Sequence, residues 1–425
     1  MRDALWPKPR LLTYIRSGLL LQPADSSTDA RRPMRGRVRA AACLLAAMVS
    51  VFIALRPVAA SDNTLTPSRL GTPMWSPRRV PALLADAAGV VKLDGSLDRT
   101  LKGVTTCLVA GDGASTLLAR SPDQPLAPAS NQKLLVAAAV LARLGPEYHF
   151  ETKVVAREQA RNGVARDLWL VGSGDPVLTT PEYRQFLETQ PLTRGRPTTS
   201  LDDLAKEMQR AGIREIRGRI HGDDSRYTRR RAIATWKPVY LTDHEVGPIG
   251  ALTVNEGWQT WTPRSASADP SILAASELAR LAAVRGITIA DGVSDSAIAP
   301  GKVETVAVVR SPSLGDIVAA MLRESSNLTA EMLVRELGRR DGDGGTDAGL
   351  AAVTQELRSL GLPTEGMKLT DGSGLDVSNR ATCGRILVVH RHRLIRHRIG
   401  HRHRRVGGRG YGCVHGRVQI TEAPP

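Results

Sequence analysis

The stretch Pro128-Ala129-Ser130-Asn131-Gln132-Lys133-Leu134 decides how the rest of the chain is read. After Ala127-Pro128-Ala129 a helix is predicted to begin near Ser130, and Gly145-Pro146 stops it. Leu134, Leu135, Ala138 and Leu141 recur at helical spacing and give that helix an apolar face. Ser130 and Lys133, three residues apart, then share one face of the first turn. A serine hydroxyl alone is a poor nucleophile, but a neutral amine beside it can take its proton. The positive end of the helix dipole and partial burial both lower a lysine pKa and favour the neutral form. Of the nine lysines in the chain, only Lys133 has a serine three residues before it. A plain helix cap beside a solvated lysine would leave the same four letters, so the motif needs company.

Company comes 195 residues later in Ser325-Ser326-Asn327, between two predicted helices, Ile317–Leu322 and Leu328–Leu337. A second hydroxyl and a carboxamide on one turn can relay a proton and hold a substrate amide. A Ser/Asn-rich helix cap is the bland alternative. The ordered pair, Ser-x-x-Lys followed by Ser-x-Asn, is the signature of penicillin-binding proteins and serine β-lactamases.

The chain resembles the low-molecular-mass, class C penicillin-binding proteins, the D-alanyl-D-alanine carboxypeptidases and endopeptidases with inserted domains. The resemblance runs from about 80 to 382. Besides the two motifs it rests on Leu168-Trp169-Leu170-Val171-Gly172-Ser173-Gly174-Asp175-Pro176 and on Gly247-Pro248-Ile249-Gly250-Ala251-Leu252-Thr253-Val254-Asn255-Glu256-Gly257. It continues in Glu324-Ser325-Ser326-Asn327-Leu328-Thr329-Ala330-Glu331, Asp371-Gly372-Ser373-Gly374-Leu375 and Asn379-Arg380-Ala381-Thr382. The resemblance implies that Ser130 is the acylated nucleophile and Lys133 the general base. It implies that Ser325 passes the proton toward the leaving D-Ala and that Asn327 holds the substrate peptide. The substrates implied are peptidoglycan stem peptides ending in D-Ala-D-Ala, with β-lactams as inhibitors that leave a slow acyl-enzyme; a β-lactamase would need rapid deacylation. No metal or organic cofactor is implied. The Asp371-Gly372-Ser373-Gly374 loop reads as structural, its glycines suiting a tight turn near the site.

One element of the pattern is missing. The family's third motif is Lys-Thr-Gly or His-Thr-Gly on a strand beside the nucleophile, some tens of residues after Thr382. Neither triplet occurs in the chain. That strand binds the substrate carboxylate and gives one of two oxyanion N–H groups, Ser130 giving the other. Losing one such donor costs about 10²–10³ in rate. The chain is therefore read either as an active enzyme or as a catalytically defective, frameshifted or truncated relative that binds muropeptides or has no activity.

The expected fold is α+β, a DD-peptidase/β-lactamase-like domain split by a mostly β insert and apparently lacking its C-terminal strands. Residues 79–156 and 301–384 form the two parts of that domain, a central antiparallel sheet with helices on both sides, and 157–300 the insert. Strands are expected at Val104–Ala110 and Ser115–Arg120, joined as a hairpin, and at Thr152–Ala156, Leu168–Val171 and Val303–Val309. Further helices are expected at Leu201–Ala211 and Leu350–Leu360.

Composition fits an ordinary globular body: of 425 residues, 42% are apolar and 24% charged, which excludes collagenous, wholly disordered and disulfide-scaffold chains. The net charge of +16 sits at the ends. Residues 1–39 hold nine basic and three acidic groups, residues 385–425 ten arginines and one glutamate, so the middle is nearly neutral. No nucleic-acid-binding face is implied. Arg35, Arg37 and Arg39 precede an apolar run, Ala40–Leu55, followed by Pro57-Val58-Ala59-Ala60-Ser61. That order is a secretory signal. The run of 16 residues is short for a span of about 20. Translation is expected to start at Met34, leaving 1–33 as an upstream extension, 34–60 as a signal peptide or an anchor holding the chain to a membrane through 40–55, and 61–78 as a linker. Both readings place the body outside the cytoplasm, in the cell envelope.

From Arg385 the text turns Arg/His-rich, with six of the nine histidines. A metal site would use His390, His392, His397, His401 and His403, but neither ligand spacing nor an acidic second shell supports it. A solvated basic tail is one reading. Out-of-frame GC-rich DNA spells such text too, and a frame lost near Cys383 explains the missing third motif; another frame is then expected to continue into an apolar helix and Lys-Thr-Gly or His-Thr-Gly. Of the four cysteines, Cys43 lies in the apolar run and Cys413 in the tail, which leaves Cys107 and Cys383 able to pair without showing that they do.

Overall fold

The computed structural model describes residues 81–111, 116–292 and 295–391, so the signal or anchor, the linker and the tail beyond 391, with most of its histidines, lie outside the described residues. The first described element is a helix absent from the sequence reading, α1 (Pro81–Thr100). It joins the body through Arg120, which pairs with Asp94 at 2.6 Å and Asp98 at 2.8 Å. Strands β1 (Leu108–Gly111) and β2 (Thr116–Arg120) form the expected hairpin. Among the described residues β1 pairs with β2 alone.

The core beneath the site is helical. Helix α2 (Gln132–Leu144) buries every residue from Gln132 to Leu141. Sequence periodicity gave it one apolar face, but Val136, Ala137, Ala139 and Val140 make the remaining faces small and apolar as well, so neighbours close in all round. Those neighbours are α5 (Leu314–Glu324), α6 (Asn327–Asp341), α7 (Thr346–Ser359) and α8 (Cys383–Arg391). Leu333, Val334 and Leu337 of α6 and Val353 and Leu357 of α7 share one cluster with α2. Gly338 and Gly349 let α6 and α7 approach closely: a Cβ on Gly349 would stand 2.1 Å from the Val334 carbonyl oxygen.

The second core is an α/β layer. Strands β3 (Glu151–Ala156), β4 (Leu168–Val171), β5 (Ile220–Asp223) and β6 (Glu304–Arg310) form one sheet in the order β6-β3-β4-β5. The expected antiparallel sheet thus becomes a mixed one. β3 pairs antiparallel with β6 and β4, whereas β4 and β5 are parallel. A parallel pair requires a crossover, and the chain between β4 and β5 supplies it through α3 (Leu201–Arg210). Helix α3 and α4 (Pro270–Val284) bury Leu201, Leu204, Met208, Ala274 and Leu278 against the sheet. Each has the N-cap its sequence offers: Ser200 accepts from the Asp203 N–H, Asp269 from Ser271 and Ile272.

Two expectations change here. The segment 157–300, expected to be mostly β, is mixed: its helices, among them α3, α4 and Pro181–Thr189, take more residues than its short strands. The strands β3 and β6, expected in the sheet beside the nucleophile, share the core of the insert instead, β3 pairing with β4 and β6 with β3. At the other end, ordered packing runs past the expected boundary at 385. Helix α8 carries Ile386 and Val389 into the core with α2, because these apolar residues lie on one face of its first two turns. Cys107 and Cys383 form a disulfide, with Cα atoms 5.7 Å apart, joining α8 to the residue before β1.

Candidate active site

Ser130 lies in a 3-10 turn, Ala129–Asn131, that leads directly into α2, and it is exposed. Lys133 is one turn further and buried. The structure brings all four expected residues together. The Lys133 Nζ lies 3.3 Å from Ser130 Oγ and donates at 2.7 Å to Asn327 Oδ1. Ser325 Oγ donates to Ser130 Oγ at 2.8 Å. Helix α5 ends at Ser325, whose left-handed backbone, φ 59°, turns the chain so that its hydroxyl meets Ser130. The capping function belongs to the intervening residue: Ser326 accepts from the Thr329 N–H and starts α6, which leaves Ser325 and Asn327 free for the site. The bland reading of the Ser/Asn cluster therefore applies to Ser326 alone.

The partners of Lys133 aim it. Besides Asn327, its amine donates at 2.7 Å to the backbone carbonyl of Ser373. A neutral amine has two N–H groups and one lone pair. With two acceptors engaged, the third direction, the lone pair, faces Ser130. Burial pushes the Lys133 pKa down to about 8, with Glu331 and Asp371 pulling it back up. A sizeable neutral fraction therefore exists near neutral pH, as a base for the serine requires.

Several contributors were missed in the sequence. Ser373 acts through a carbonyl, which no side-chain motif advertises. Its loop is fixed from below: Asp371 accepts from the Trp236 Nε1–H, the Gly374 and Asp376 N–H groups and the Asn379 amide. Gln132 donates to the Asp371 carbonyl at 3.0 Å. Gly374, at φ 84°, presses against the nucleophile turn; a Cβ there would lie 1.9 Å from the Ala129 oxygen. The 157–300 segment also reaches the site. The Glu245 carbonyl accepts from Asn327 Nδ2 at 2.8 Å and so holds Oδ1 toward Lys133. Arg196 pairs with Glu324, the residue before Ser325.

An exposed hydroxyl at a helix start, a buried amine aimed at it, a second hydroxyl on the first and an oriented carboxamide form a constellation suited to nucleophilic acyl transfer. The chain belongs to the D-Ala-D-Ala carboxypeptidase 3 (S13) family, whose pattern it matches over residues 89–266 and 258–390. The match extends beyond Thr382, where the sequence motifs gave out, to nearly the end of α8. Among curated relatives, it is 27% identical to a D-alanyl-D-alanine carboxypeptidase of Actinomadura sp. (strain R39), covering 85% of this chain and 76% of the relative. It is 29% identical to the carboxypeptidase DacB of Mycolicibacterium smegmatis over 77% of this chain and 66% of the relative. The fold matches that of penicillin binding protein 4 (dacB) from Haemophilus influenzae with TM-score 0.57 and 18% identity, over 70% of this chain and 77% of that one. A crystal of the same protein complexed with a β-lactam matches with TM-score 0.51 and 20% identity, covering 70% of this chain and 76% of that one.

Proposed function

We propose that this chain is an exported serine peptidase of the D-Ala-D-Ala carboxypeptidase type acting on peptidoglycan stem peptides, with an endopeptidase action on cross-links open to the same chemistry. The observation that carries the reading is the Lys133 amine held by Asn327 and Ser373 so that its free direction faces Ser130. Lys133 takes the Ser130 proton as Oγ attacks the carbonyl carbon of the D-Ala-D-Ala amide. The tetrahedral intermediate collapses with cleavage of the C–N bond, and Ser325, on Ser130 at 2.8 Å, delivers its proton to the leaving D-Ala nitrogen and regains one from the Lys133 ammonium, which returns to the neutral amine. Water then hydrolyses the ester. A β-lactam would acylate Ser130 in the same way but retain its leaving nitrogen in the adduct. The disulfide supports export, since such bonds persist in oxidising compartments.

One observation favours a second reading, a catalytically defective relative that binds muropeptides: the chain contains neither Lys-Thr-Gly nor His-Thr-Gly. Without the oxyanion N–H that this motif's strand would give, turnover would fall by about 10²–10³ while acylation stays detectable. The test is D-alanine release from a synthetic stem peptide ending in D-Ala-D-Ala, with the intact mass of the protein followed in parallel. Release abolished by Ser130→Ala supports the first reading; binding of the peptide with neither release nor a mass increase supports the second.

A further inference from the structure

Glu331 lies one helical turn after Asn327 on α6 and is fully buried. Its Oε1 accepts two backbone N–H groups, Gly372 at 3.0 Å and Ser373 at 2.7 Å. The Ser373 carbonyl is in turn one of the two acceptors that orient the Lys133 amine. Glu331 Oε2 is buried with no hydrogen-bond partner. An apolar side chain would fill this space without leaving a carboxylate oxygen unsatisfied, so bulk alone does not account for the residue. Helix α6 thus holds Lys133 twice, directly through Asn327 and indirectly through Glu331 and the loop.

Resting on the acylation chemistry above, we propose that Glu331 is a positioning residue of this site: its carboxylate fixes the Ser373 carbonyl against Lys133 and supplies the buried negative charge that sets how readily that amine gives up its proton. The charged groups acting on Lys133 among the described residues are Glu331 and Asp371. Those acting on Glu331 are Asp371 across the loop, Lys133, and Arg335 one turn along α6. Burial and the Asp371 charge push the Glu331 pKa up to about 7, below the value of about 8 for Lys133, so the carboxylate is mostly ionised at the midpoint of the Lys133 titration. The carboxylate then opposes that loss, and removing its charge makes Lys133 a weaker base that is neutral over a wider range.

The test uses the full chain with lysines labelled at the ε-carbon; nine lysines give few signals, and Lys133→Met assigns the one of interest. In Glu331→Gln the amide oxygen still accepts from Gly372 and Ser373, but the charge is gone. The Lys133 signal is expected to titrate about one pH unit lower than in the wild type. The acid limb of labelled-penicillin acylation should move by the same amount, with its plateau kept within a few-fold. In Glu331→Met the loop loses its acceptor, and the plateau should fall at least tenfold at every pH. Coincident Lys133 titrations in wild type and Glu331→Gln would overturn the proposal, since a purely structural side chain would not move them. If the wild type takes up no penicillin, the acylation reading fails separately, and the lysine titration alone decides the role of Glu331.

Discussion

Arg196, from the segment between the Ser-x-x-Lys and Ser-x-Asn motifs, pairs with Glu324 at 2.6 Å and with Glu256 at 3.0 Å, and all three side chains are largely buried. Tyr183 completes the cluster by donating its hydroxyl to Glu256. Glu324 immediately precedes Ser325, so the ion pair anchors the end of α5 where the chain turns to bring that hydroxyl onto Ser130. Removing Arg196 would leave the buried Glu256 without its cation and Glu324 with only the exposed Arg323. Arg196→Met is expected to lower unfolding stability by about 3–5 kcal/mol, measured as a drop in the urea midpoint at constant slope. A midpoint within a few tenths of a kcal/mol of wild type would show that Glu324 and Glu256 find other partners.

Lys133→Met preserves bulk but leaves Ser130 without a base. Penicillin acylation should fall by about 10²–10⁴ while the unfolding transition persists. Rapid acylation in this variant would assign the base elsewhere.

The rate should carry the signature of the buried amine. Lys133 must be neutral to accept the Ser130 proton, and its pKa is lowered to about 8. Acylation is therefore expected to climb about tenfold per pH unit below that value and to level off above it. Stopped-flow acylation between pH 6 and 9.5 reads this directly; a rate flat across that range would exclude Lys133 as the titrating base.

Glu331 affects stability with the opposite sense of pH. Its pKa is raised from 4.5 to about 7, so the folded protein holds a proton that the unfolded chain has already released. The stabilisation is complete below pH 4.5 and is lost as pH rises through about 7. In Glu331→Gln that loss is absent, so the stability gap between variant and wild type should change in favour of the variant from pH 4.5 to 7. Parallel stability curves over this interval would contradict it.

The disulfide closes most of the described chain between Cys107 and Cys383, 276 residues apart. Reduction should lower stability by about 2–5 kcal/mol and free α8 from the residue before β1. Hydrogen exchange in 383–391 should rise before exchange in α2, whose ten buried residues form the middle of the helical core. Equal protection of both segments after reduction would mean that Ile386 and Val389 hold α8 without the bond.

Much of this site was legible because chemistry was written in side chains. Ser130, Lys133, Ser325 and Asn327 stand in two short motifs, and the helices around them follow apolar periodicity. What escaped the sequence acts through backbone or through distance. The Ser373 and Glu245 carbonyls carry no letter of their own. Arg196 meets Glu324 across 128 residues. The mixed sheet was hidden because β3, which precedes the 157–300 segment, pairs both with β4 inside that segment and with β6 beyond it, and alternation within a strand does not say which neighbour it chooses. The pairing of Cys107 with Cys383 depended on α8 folding, which Arg385, His390 and Arg391 obscured among Ile386-Leu387-Val388-Val389.

The most direct measurement is peptide mapping of the intact chain after incubation with a labelled penicillin, with Ser130→Ala as the control. If Lys133 and Ser325 activate Ser130 as their geometry implies, one label per chain will be found on the peptide bearing Ser130 and none on the variant. A cooperatively folded wild-type chain that takes up no label, or takes it up at another residue, would contradict acyl transfer at Ser130.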